Sequence, residues 1–218
     1  GDIGLESVNQ CLPVYLLLCT IGSLYASGAS FLSAHAVGEN DAERGTRFFQ
    51  GALLDALLVG FVFCLAGFCL SGQLAALLGT AASYEYVRLY LRITLAGGVA
   101  KILLYLPYFY LRLEGKNRHA MTAMRTMTFL NIVLDYCFLF VWDFGIRGAA
   151  WASVIATVVA AGMSFAFLFA GKGSFRPGFR ALRMSERAAV FRYGSPMAVN
   201  NVLSAARILV LNLILGSM

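Results

Sequence analysis

The run GAAWASVIATVVAAGMSFAFLFA, residues 148–170, is 23 residues long and holds no charged side chain. A helix needs about 20 consecutive, mostly apolar residues to cross a bilayer, so this stretch alone is long enough. Five more runs of that length lie along the chain, over residues 9–34, 48–70, 87–111, 122–142 and 189–216. All are continuously apolar, whereas strands of a membrane barrel alternate apolar and polar residues over about ten positions. The links between them are short and polar or Gly-rich, as in Gly38-Glu39-Asn40-Asp41 and Glu114-Gly115-Lys116-Asn117. Pro13, Pro107 and Pro196 fall inside the runs, a placement that membrane helices tolerate. The expected fold is an all-α, polytopic integral membrane protein with six transmembrane helices.

The composition agrees. Of 218 residues, 60% are hydrophobic and 13% charged, with a mean hydropathy of +0.75, against about 25% charged in a soluble domain. That disfavours a soluble enzyme, a disordered tail or a secreted disulfide scaffold. The five cysteines (Cys11, Cys19, Cys64, Cys69, Cys137) lie in apolar runs without metal-ligand spacing, and read as small buried hydrophobes. No basic n-region of a signal peptide precedes the first run. The chain does not begin with Met, and Gly1 is expected not to be a natural start.

The net charge of +6 reads as topology. Twelve Lys and Arg fall on one side: Arg44 and Arg47; Arg112, Lys116, Arg118 and Arg125; Lys172, Arg176, Arg180, Arg183, Arg187 and Arg192. Three fall on the other, Arg88, Arg92 and Arg147. By the positive-inside rule, loops 35–47, 112–125 and 171–192 are expected in the cytoplasm and both chain ends outside, in a cell (inner or plasma) membrane. Nucleic-acid binding thereby loses its support.

Charges at membrane depth are costly and usually functional. The richest setting is Asp135. Thr128, Asn131 and Asp135, spaced i, i+3, i+7, share one face of their helix. The chain then turns around Asp143-Phe144-Gly145. Counted from that turn, Ser153 and Thr157 of the next helix come to a depth similar to that of Asp135. A carboxyl group in such a pocket can load and release a proton near neutral pH, and with Asn131 and the hydroxyls it can equally supply hard oxygen ligands to Na⁺. The bland alternative is a polar cluster that only joins helices. Asp55 and Lys101 are expected to form a structural ion pair, the lysine reaching toward the interface. Arg207 either pairs with a carboxylate or, with Asn200 and Asn201 on the same helix, faces a substrate cavity. Tyr105, Tyr108, Phe109 and Tyr110 read as an interfacial belt, and Gly22, Ala26, Gly28 and Ser33 as close-packing positions.

Four segments, in order, resemble the multidrug and toxic compound extrusion (MATE) transporters: Gly28-Ala29-Ser30-Phe31 through Gly38-Glu39-Asn40-Asp41-Ala42-Glu43-Arg44; Leu111-Arg112-Leu113-Glu114-Gly115-Lys116-Asn117-Arg118; Asn131-Ile132-Val133-Leu134-Asp135-Tyr136 with Gly145-Ile146-Arg147-Gly148-Ala149-Ala150-Trp151-Ala152-Ser153; and Tyr193-Gly194-Ser195-Pro196. The resemblance implies a twelve-helix, two-lobe fold working by alternating access, of which this chain would hold helices two to seven. Residues 1–188 would be the N-terminal lobe lacking its first helix, with a cytoplasmic linker over 171–188, and 189–218 the first helix of the C-terminal lobe. It also implies a cation site on Asn131 and Asp135 with Ser153 nearby, whose first-helix Asp has no counterpart here. The chain is therefore expected to be a fragment.

The leading expectation is part of a secondary-active antiporter, not an enzyme, that exports drug-like, often cationic, organic compounds in exchange for H⁺ or Na⁺. Its partners would be the lipid bilayer, the substrate, and the missing first helix and C-terminal lobe; no cofactor beyond the coupling ion is expected. The alternatives are a lipid-linked oligosaccharide flippase of the same superfamily and a non-transporting membrane fragment.

Overall fold

No water is at hand in a bilayer's hydrocarbon core to satisfy a backbone amide, so a chain this apolar closes its hydrogen bonds within helices. The computed structural model describes residues 2–170, 173 and 175–216, and among them every regular element is helical. In chain order these are α1 (Asp2–Gln10), α2 (Leu12–Gly38), α3 (Ala42–Cys69), α4 (Ser71–Leu78), α5 (Tyr84–Ala96), α6 (Gly98–Leu113), α7 (Asn117–Tyr136) with a π-helical turn after it (Cys137–Val141), α8 (Gly145–Phe169) and α9 (Met184–Gly216). Gly1, Gly171, Lys172, Ser174, Ser217 and Met218 lie outside the described residues, and with them the start of the expected linker and the expected outward position of both ends.

Among the described residues α2, α3, α7 with its π turn, and α8 are long and apolar enough to cross a membrane. A fifth span results if α5 and α6, bent by 46° at Gly97, count as one. The sixth expected stretch is α9, which is 33 residues long and carries Arg187, Arg192 and Arg207. It starts at Met184, inside the expected 171–188 linker.

Local chemistry sets the ends. Pro13 opens α2, where its missing N–H costs nothing. Asp41 caps α3, accepting a 2.9 Å hydrogen bond from the Arg44 amide. The α7–α8 turn needs two positive φ angles, 50° at Asp143 and 56° at Gly145. Asp is among the few non-glycine residues that adopt such angles readily.

The main core lies where α2, α3 and α6 meet, around Leu18, Tyr25, Phe49, Ile102, Leu106 and Tyr110. Tyr110 is fully buried and bonds the Ser33 hydroxyl at 2.7 Å. Of the expected interfacial belt, Tyr110 is thus wholly inside the core, while Tyr105, Tyr108 and Phe109 are half-buried against it. Exposed rings gather instead beyond α7, at Phe140, Trp142 and Phe144. The segment before α9 joins the same core: Phe175 packs on Tyr110 at 4.7 Å between ring centres, and Leu182 lies over Gly51.

Helix α9 makes the most extensive helix–helix contact of the chain, with α2. Its crossing depends on two glycines. A Cβ on Gly28 would sit 2.1 Å from the Val190 carbonyl oxygen, and one on Gly194 would sit 2.2 Å from that of Leu24. The links expected on the cytoplasmic side meet at one end of the bundle, through Arg180–Glu43 (3.3 Å), Gln50 donating to the Arg176 carbonyl (3.2 Å), and Gly173 seated against Glu114.

Candidate cation-coupling site

Helices α7 and α8 form an antiparallel hairpin, and its register brings Asn131 to Ser153. The Asn131 amide nitrogen donates to Ser153 Oγ at 3.2 Å, which leaves its carbonyl oxygen as an acceptor. The Thr157 hydroxyl donates to the Ser153 carbonyl at 2.8 Å, so Thr157 is tied to its own helix. Asp135, one turn beyond Asn131, has its Oδ1 buried with no hydrogen-bond partner among the described residues. Thr128 is not in the cluster. It is exposed and donates back to the Met124 carbonyl at 3.2 Å. Just after Asp135 the helix widens, with the Trp142 amide bonding the Cys137 carbonyl at 3.0 Å in an i→i+5 pattern. Such π turns recur at functional sites.

Beside this cluster lies a cavity of about 30 Å³, bordered by Tyr15, Tyr90, Thr94, Lys101, Ser153 and Thr157. It has room for about two waters. Tyr90 also interacts electrostatically with Asp135. The cavity sits at the α5–α6 bend, where α8 presses so close that a Cβ on Gly97 would meet Val154 at 2.5 Å. Tyr90, Thr94 and Lys101 are therefore neighbours of the site that the sequence reading missed. The adjacent pair Gly97-Gly98 inside an apolar run was the available signal for a break there.

The expected Asp55–Lys101 ion pair does not form. Asp55 accepts two hydrogen bonds from Arg187, at 2.9 Å to Nε and 2.8 Å to Nη2. The planar guanidinium matches both carboxylate oxygens, which a lysine cannot do. Lys101, 8% exposed, lies instead over the Tyr15 ring, 4.6 Å from its centre. On α9, Asn201 donates to Ser23 Oγ of α2 at 2.7 Å, Asn200 accepts from Ser204 at 2.8 Å, and Arg207 is exposed. Neither of these two hydrogen bonds reaches the α7–α8 cluster.

An unpartnered carboxylate oxygen, an amide oxygen and hydroxyls suit a proton or a hard cation such as Na⁺. Among the described residues no group of three or more His, Cys, Asp or Glu gathers to hold a metal. Residues 1–137, well over half of the chain, match the family model MatE. The chain belongs to the MatE family. It is 24% identical over 217 residues to the multidrug export protein MepA of Staphylococcus aureus (strain MRSA252), covering 97% of this chain and 48% of that protein. The crystal structure of MATE in complex with MaL6 superposes with a TM-score of 0.89 at 24% identity, over 97% of this chain and 48% of that one. An outward-facing multidrug resistance MATE family transporter gives 0.86 at 24% identity, with the same coverage. These likenesses show the fold of a multi-pass membrane protein. Their names are those of exporters and transporters, not of enzymes. The chain spans about half the length of the curated relatives it matches.

Proposed function

We propose that this MatE chain belongs to a multidrug exporter and carries its cation-coupling site, with Asp135 as the acceptor of H⁺ or Na⁺, Asn131 as its partner, and Ser153 and Thr157 as auxiliary ligands. The observation that carries this reading is the buried Asp135 oxygen without a partner, beside an Asn131–Ser153 bond that joins α7 to α8. An ionised carboxylate left so is costly at membrane depth. A cation that binds there removes the cost, so loaded and empty states of the site differ in energy, as an ion must make them differ to drive a conformational change. The π turn after Asp135 and the bend at Gly97 lie next to the site and are the places where the helices can change shape. In the whole protein, residues 1–188 form most of an N-terminal lobe and 189–218 begin the second, with alternating access to a cavity between them. The coupling ion enters as H⁺ or Na⁺, and drug-like, often cationic, compounds leave across the plasma membrane. Residues 35–47, 112–125 and 171–192, the helix ends and the links between them, face the cytoplasm.

A flippase for lipid-linked oligosaccharides needs several cations on one cavity to meet a pyrophosphate. Here Lys101 lines a cavity of about 30 Å³ and Arg207 stands exposed on α9, which favours the exporter. Ethidium accumulation in cells lacking the full-length gene tests the choice. Raised accumulation, reversed by restoring the gene, is expected; unchanged accumulation would contradict export and favour the flippase.

A further inference from the structure

The buried Lys101 has no acid partner among the described residues, because Asp55 is taken by Arg187. A cation at membrane depth without a counter-ion is expensive and marks a functional position. The Tyr15 ring repays part of that cost through cation–π attraction. Asp135 poses the complementary problem, a buried carboxylate oxygen without a donor. A short chain of contacts links the two: Lys101, Ser153 and Thr157 line one cavity, and Ser153 is bonded to Asn131, one turn from Asp135. The titratable groups lining it besides Lys101 are Tyr15 from α2 and Tyr90 from α5, while α8 contributes Ser153, Val154 and Thr157; Asp135 lies behind this wall, close enough to act electrostatically on Tyr90.

We propose that Lys101 is a tethered counter-cation of the Asp135 site, its ammonium moving between the Tyr15 ring and the Ser153–Thr157 side of the cavity and standing in for the transported cation when none is bound. This rests on the reading of Asp135 as the coupling acid. The lysine stem is flexible and its head is a compact point charge, and the cavity holds a group of that size. An arriving ion neutralises Asp135 and removes the attraction that held the ammonium there, so it returns to the Tyr15 ring. Departure of the ion lets it return. Lys101 is thus a positioning residue that sets how tightly the driving ion is held.

The test is ethidium efflux by the complete protein in proteoliposomes, with Na⁺ gradients and pH gradients imposed separately. In Lys101→Met the driving-ion concentration for half-maximal efflux is expected to fall about tenfold, since a competing charge is gone, while the maximal rate drops. Lys101→Arg keeps the charge on a bulkier head and should shift the value less than Lys101→Met does. Tyr15→Leu removes the ring seat and should raise the half-maximal concentration. An unchanged value in a monodisperse Lys101→Met protein overturns the proposal. Should that variant fail to fold, an unchanged value in Tyr15→Leu overturns it instead. If Asp135→Asn retains ion-driven efflux, or neither ion drives the wild type, the Asp135 reading itself fails. If Asp135→Asn is inactive and Lys101→Met is unshifted, only the role of Lys101 falls.

Discussion

Two acids at membrane depth, Asp55 on α3 and Asp135 on α7, are treated in opposite ways. Asp55 is 6% exposed and closed by a two-point bond to Arg187 at the start of α9. Beside it Arg47 pairs with Glu186 in a second bridge between α3 and α9. Asp135 has a buried oxygen with no hydrogen-bond partner among the described residues, a cavity beside its cluster and a π turn after it. The difference shows how one chain spends the same side chain on two tasks. An acid with a built-in base holds helices together, while an acid left open leaves its partner to be supplied from outside.

That contrast can be broken by substitution in the complete protein, with thermal unfolding as the readout. Asp55→Ala has the largest expected effect. It strands the Arg187 guanidinium, whose side chain is 36% exposed, so the loss should be about 2–3 kcal/mol, at or below the lower end of the range for a broken buried pair. Gly28→Ala comes next. Its Cβ would meet a backbone carbonyl at 2.1 Å, which cannot rotate away, so α9 must shift from α2 at a cost of about 2 kcal/mol. Asp135→Asn should be smallest, within about 0.5 kcal/mol of wild type or slightly stabilising, because it removes a costly buried charge whose Oδ1 has no hydrogen bond to lose among the described residues. Destabilisation by Asp135→Asn as large as that of Asp55→Ala would erase the distinction.

Much of this was legible in the sequence, for physical reasons. Length and apolar continuity fix helices in lipid, so all but the last residue of 48–70 and of 148–170 fall within α3 and α8. A short turn ties the register of a hairpin, so counting from Gly145 placed Ser153 near the polar face of α7, and it meets Asn131. Depth alone does not name neighbours. Asp55 and Lys101 were matched by depth, yet Arg187 arrives from 132 residues away and offers the better fork. Thr128 shares a face with Asn131 in helical spacing, yet it is exposed and bonds its own backbone. Charge alone gave 171–188 as a cytoplasmic linker and could not show that two of its described apolar residues, Phe175 and Leu182, pack in the core. The break at Gly97 was hidden because helix continuity was inferred from hydropathy, which does not register a kink.

The central claim is that Asp135 is left open for the ion that drives transport. Ion-driven drug efflux by the complete protein carrying Asp135→Asn tests it most directly. The expected result is loss of efflux in a protein that expresses and elutes as wild type. Efflux at the wild-type rate would contradict the claim.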